Sequence, residues 1–185
     1  MKDENKKQRI EIWELAQMLV ESKISTDYFN KFNNQMEKII GGEIDEKKRH
    51  RYTLEYLVFD LFTDHACFIL AFGHEKALLL FETYSVNILC EFIKIRRKIE
   101  SEEFEKLYKK RFPEYYKYLK EYDPEYIKKI NNNKYFPGLG MTFSINIGDR
   151  DPFLAERAQW IPLIKLKYLY KNFLKDIADK YEIVL

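Results

Sequence analysis

Hydrophobic positions recur at helical spacing along most of the chain. Ile10, Trp13, Leu15, Met18 and Leu19 follow the helical period and predict a first helix over 6–21. Ser25, Thr26 and Asp27 supply a cap for a second helix. It carries Tyr28, Phe29, Phe32, Met36, Ile39 and Ile40 and stops at Gly41-Gly42. A third helix starts between residues 43 and 48 and runs to Phe72. Its second half is apolar nearly all round, through Leu57, Val58, Phe59, Leu61, Phe62, Phe68, Ile69 and Leu70. A helix without a polar face belongs at the centre of a bundle. The fourth, from His74 to about Lys98, is similar until Phe92 and Ile93. It ends in Lys94, Arg96, Arg97 and Lys98, cations that suit a helix C-terminus. With Gly73 as the turn, these two predict an antiparallel hairpin over 52–93 as the core.

Ser101, Glu102 and Glu103 open a fifth helix, and Pro113 stands at the first turn of a short sixth. Asp123-Pro124-Glu125 combines a cap, a proline at the first helical position and an acid after it, and starts a seventh that fades at Asn131-Asn132-Asn133. Residues 134–150 break the pattern. Pro137-Gly138-Leu139-Gly140 reads as a turn cluster. Met141, Phe143, Ile145 and Ile147 then alternate with Thr142, Ser144 and Asn146, which predicts either a strand over 141–147 or an ordered extended loop. The candidate partner for such a strand is Glu182–Leu185, or the same segment of a second copy. Asp151-Pro152 begins a last helical region that Pro162 must kink or restart. The expectation is an all-α fold: a bundle of seven to eight helices around the central hairpin, with a minor two-stranded β element, in a single domain over 1–185.

Composition supports that expectation. A chain of 185 residues buries about 70% of its unfolded surface without needing a disulfide or metal. Six glycines and five prolines are too few for a turn-rich all-β fold. The 14 Phe and 14 Tyr carry less meaning than their number suggests, because AT-rich codon usage favours Lys, Ile, Asn and Tyr together. On the hairpin, Cys67 and Cys90 fall on different levels, which predicts two buried, reduced thiols and a cytoplasmic setting. MKDENKKQRIEIW lacks the apolar core of a secretory signal. The central apolar run Ala66–Phe72 is too short to span a bilayer.

Charge is uneven, and this brings in candidate chemistry. Residues 52–93 carry one basic and six acidic side chains, whereas residues 94–134 carry 13 basic and eight acidic ones. Asp60 and Asp64 are four apart and share a helix face, His65 follows, and the hairpin sets Glu82 level with Asp64. Two carboxylates and an imidazole in an apolar surround could bind a divalent cation or share a proton. The competing reading is a pair of buried acids satisfied by other helices, with Arg150 and Arg157 available. Di-iron Glu-x-x-His pairs, His-Glu-x-x-His and Cys-x-x-Cys are absent from the sequence.

In the basic segment, Lys106, Lys109, Lys110, Arg111 and Lys117, with Lys120, Lys128 and Lys129, could neutralise phosphates. Tyr108, Tyr115, Tyr116, Tyr118 and Tyr122 would then stack on bases. The competing reading is an amphipathic pair of helices, aromatics inward and lysines outward, which the interleaved acids and a pI near 8.3 favour. The run Lys47-Lys48-Arg49-His50-Arg51 reads as a solvated helix start beside Glu43, Asp45 and Glu46. Gly138 and Gly140 make no phosphate loop, and no serine sits in a nucleophile elbow.

No catalytic residue is assigned and no cofactor is required. The favoured expectation is a non-enzymatic helical interaction or regulatory domain, with a protein partner or a second copy of itself. One alternative is a metal-dependent hydrolase centred on Asp60, Asp64, His65 and Glu82. The other is a nucleic-acid binder using residues 94–134.

Overall fold

A computed structural model describes residues 7–23, 34, 46–96, 101–122, 137–147, 158 and 160–184. Strand β1 (Gln8–Glu11) leads directly into α1 (Ile12–Lys23). The carboxylate of Glu14 accepts a hydrogen bond from the Glu11 backbone N–H at 3.2 Å, so an acid in the first turn caps the entry. The helix buries Leu15, Ala16, Leu19 and Val20, and the residues between them face outward. Residues 8–11, inside the expected helix, are thus extended, since Ile10 is needed by the sheet.

The long helices α2 (Glu46–Phe72) and α3 (His74–Arg96) form the expected hairpin. One residue joins them. Gly73 has φ +79, the left-handed region that favours glycine; its N–H closes α2 on the Ile69 carbonyl, and its own carbonyl accepts the first bond of α3 from Ala77. Every residue from Thr53 to Phe68 is buried. This follows from the position of α2, which packs at once against α3, α4, the Pro137–Asn146 helix and the C-terminal helix.

Helix α4 (Ser101–Tyr116) runs unbroken through Pro113, where a new helix was expected. The proline forfeits one backbone hydrogen bond but stays near the helix end, where a kink disturbs little. A 3₁₀ turn follows at Leu119–Tyr122. The segment over 141–147 is not a strand: residues 141–146 belong to α5 (Pro137–Asn146), with Pro137 at the first helical position, and Ile147 is in the turn that follows. Leu139, Phe143 and Ile147 face the core while Met141 and Ile145 are exposed, so the alternation arose from two opposite helix faces.

The C-terminal helix α6 comprises an α-helical turn (Trp160–Lys165), a wider π-helical stretch (Leu166–Leu174) and a second α-helical piece (Lys175–Lys180). The Lys175 N–H bonds to the Tyr170 carbonyl, five residues back. Pro162 sits in the first turn of the described part of α6 and breaks nothing. The chain then enters β2 (Tyr181–Val184), which pairs in parallel with β1 and sets Ile10 opposite Ile183.

Six helices are thus present among the described residues, not seven to eight, with one two-stranded parallel ribbon formed by β1 and β2. The expected helices over 28–40, apart from the helical Asn34, and after Asp123 lie outside the described residues, as do Arg150 and Arg157. Cys67 is buried as expected, but Cys90 is exposed, because α3 turns that face away from α2; both thiols are free. No described helix is long and apolar enough to cross a membrane.

Candidate functional site

A helix buried on all sides must satisfy any charge it carries from its neighbours. α2 buries three acids, Glu55, Asp60 and Asp64. At 100° per residue Asp60 and Asp64 lie about 40° apart, and Glu55 lies about 140° from Asp60. The acids therefore face different neighbours, and each neighbour supplies a cation.

Asp60 and Asp64 receive two lysines. Lys23, the last residue of α1, pairs with Asp60 at 2.5 Å and also with Asp64. Lys165, in α6, reaches Asp60 at 2.9 Å and Asp64 at 2.5 Å. The Tyr84 hydroxyl, from α3, donates to Asp64 at 2.7 Å, and its ring lies 5.5 Å from the Lys23 ammonium. Two carboxylates and two ammonium groups thus balance one another in a cluster shared by α1, α2 and α6, with α3 supplying the hydroxyl.

The electrostatics match the geometry. Burial opposes ionisation of Asp60, but Lys165 and Lys23 outweigh it and hold the carboxyl below the usual range. Burial likewise opposes the charge on Lys23, and Asp60 and Asp64 overcome it, so its pKa rises. Burial and the Asp64 charge push the Tyr84 hydroxyl well up. Asp60, Lys23 and Tyr84 are each held in one protonation state near neutral pH, the reverse of what an acid–base catalyst needs.

Glu55 is met by α4. Arg111 grips it through two nitrogens at 2.9–3.0 Å and extends to Glu114 at 3.2 Å. The Asn146 side-chain amide donates to Glu114 and to the Tyr115 hydroxyl, and the Asn146 carbonyl accepts from Arg51. This second network fastens α4 and α5 to the opposite side of α2.

His65 and Glu82 stand apart from the carboxylate pair. The imidazole of His65 stacks on Phe81 at 4.5 Å and Phe112 at 5.8 Å, and its Nδ1 finds no partner among the described residues. Burial, with a contribution from His74, lowers its pKa from 6.5 to about 4, so the ring is neutral and packs as an aromatic. The Glu82 side chain is exposed, and the α3 residue that reaches Asp64 is Tyr84. Among the described residues no three His, Cys, Asp or Glu side chains converge on one point.

The basic residues of α4 also divide. Lys106 pairs with Glu102 at 2.7 Å and Lys109 with Glu105 at 2.5 Å, both across one exposed helical turn. Lys110 and Lys117 are exposed. Arg111 turns inward to Glu55, and Tyr115 and Tyr122 are buried. Of the tyrosines proposed as stacking partners, Tyr116 is the one described as exposed; Tyr108 and Tyr118 are half-buried. His50 contacts Glu103 at 3.1 Å.

No family model, no curated protein and no solved structure matches this chain. Its own surface therefore carries the functional argument. Trp160, Ile164 and Tyr168 lie four residues apart along α6 and are 46%, 46% and 58% exposed. They form an apolar ridge on the helix that also delivers Lys165 to the buried cluster. Sequence reasoning missed Lys23 and Lys165 as partners of the aspartates. The signal available was weak: Lys165 interrupts the apolar run from Trp160 to Leu166, and Lys23 ends an amphipathic helix.

Proposed function

We propose that this chain is a non-enzymatic helical interaction domain whose partner is a second copy of itself, docked through the Trp160–Ile164–Tyr168 ridge. The single observation that carries this reading is the ridge: three large apolar side chains, each close to half exposed or more, in line on one helix. Scattered apolar residues on a surface need no explanation, but an aligned apolar set with two aromatics is the kind of anchor that protein interfaces bury. The buried acids support the same reading from the other side. Asp60 and Asp64 already hold ammonium groups and Glu55 holds a guanidinium, so the titratable core acts as a fastening for the helices. A symmetric pair would place α6 of one copy against α6 of the other.

The test is sedimentation velocity across a concentration series, on the unaltered chain and on Trp160→Glu and Tyr168→Glu. Both substitutions fall on exposed positions. The expected result is a concentration-dependent dimer that each charge weakens by about tenfold or more, as loss of an interface anchor does.

A further inference from the structure

A second feature of the surface lies near the turn of the hairpin. A half-open cavity of about 420 Å³ sits between the C-terminal part of α2, the start of α3 and the 3₁₀ turn after α4. Its size falls within the range of small-molecule sites. Ala66, Ile69 and Leu70 share one face of α2 and form one wall. Leu119 and the buried Tyr122, both in the 3₁₀ turn, also line it. Ile69, Leu70 and Leu119 are only half-buried, so their apolar surface is left for an occupant to cover.

Lys120 and His74 line the cavity, both side chains are exposed, and no carboxylate lines it among the described residues. His74 is also the first residue of a 23-residue helix. The N–H groups of that first turn lack helical acceptors, and Gly73, which precedes them, has no side chain to cap them. An apolar trough with hydrogen-bond donors and a cation at its edge matches one ligand shape: a hydrocarbon body ending in an anion.

We infer that this cavity binds an amphipathic monocarboxylate, such as a medium-chain fatty acid, with its chain along Ile69, Leu70 and Leu119 and its carboxylate at Lys120 and His74. The site is independent of the α6 ridge, so binding persists in Trp160→Glu.

The experiment is a titration of the full-length chain with octanoate and, separately, with octan-1-ol, followed by methyl NMR. Octanoate is expected to give saturable shifts centred on the methyl groups of Ala66, Ile69, Leu70 and Leu119. Lys120→Glu, at an exposed position, should weaken octanoate by about tenfold, the worth of one charge-assisted hydrogen bond, and leave octan-1-ol unchanged. Ile69→Glu should weaken both ligands. The proposal is overturned if octanoate gives no saturable shifts at millimolar concentration. It is equally overturned if Lys120→Glu affects acid and alcohol alike, or if the shifts scatter over exposed apolar residues such as Met141 and Ile164.

Discussion

Asp64 shows how a buried acid ties together helices far apart in sequence. Its two oxygens are divided between Lys23, Lys165 and the Tyr84 hydroxyl, so removing any one cation strands charge in the core. Lys23→Met is expected to lower stability by about 3–5 kcal/mol, the usual penalty for breaking a buried pair on one side, read as a fall in the urea midpoint. The pH dependence separates two groups. His65 has a folded pKa near 4 against 6.5 when unfolded, so the unfolded chain takes up its proton first. Stability is therefore lost as pH falls from about 6.5 towards 4, by up to roughly 3 kcal/mol. Asp60, whose folded value is depressed, contributes stability that is full above its unfolded value, near 4, and is lost below that. His65→Leu should flatten the urea midpoint between pH 6.5 and 4 and leave the steeper loss at lower pH in place.

At the scale of elements, the hairpin was legible because its two signals agree: α2 is apolar all round, and a lone Gly73 separates two helical periods. Gly73→Ala should cost about 1 kcal/mol in thermal unfolding, because φ is positive there. A Cβ at that position meets no atom within 4 Å, so the cost is one of backbone conformation alone. Helix α5 was not legible. Four apolar residues at alternate positions fit a strand, but they equally fit a helix with Phe143 and Ile147 inside and Met141 and Ile145 outside. Only the surroundings decide, and those come from distant parts of the chain. The same limit hid the partners of Asp60 and Asp64. Their shared face could be read from a spacing of four, but Lys23 and Lys165 lie 41 and 101 residues from Asp64. The nine-residue π-helical stretch after Lys165 is a related case. No local residue pattern announces it.

For the whole molecule, the parallel ribbon closes the chain on itself, with Ile10 opposite Ile183 and both nearly buried. Ile10→Ala and Ile183→Ala should each cost about 2 kcal/mol or more. Because the two side chains share one contact, the double variant should fall short of their sum by about 1 kcal/mol, read from urea unfolding as a double-mutant cycle. Three fastenings then act together. The Asp60–Asp64 cluster holds α1, α3 and α6, the Glu55 network holds α4 and α5, and the ribbon holds the ends. They leave α6 fixed at its inner face by Lys165, with Trp160, Ile164 and Tyr168 exposed on its outer face. That arrangement is what a docking helix needs: a rigid base beneath an apolar ridge. The most direct test of this reading is the mass of the unaltered chain in solution, by sedimentation velocity, beside that of Trp160→Glu. The expected result is twice the 22.6 kDa chain mass for the former and the single-chain mass for the latter at the same concentration. A single-chain mass for the unaltered protein at every concentration, or a dimer that Trp160→Glu leaves intact, would contradict it.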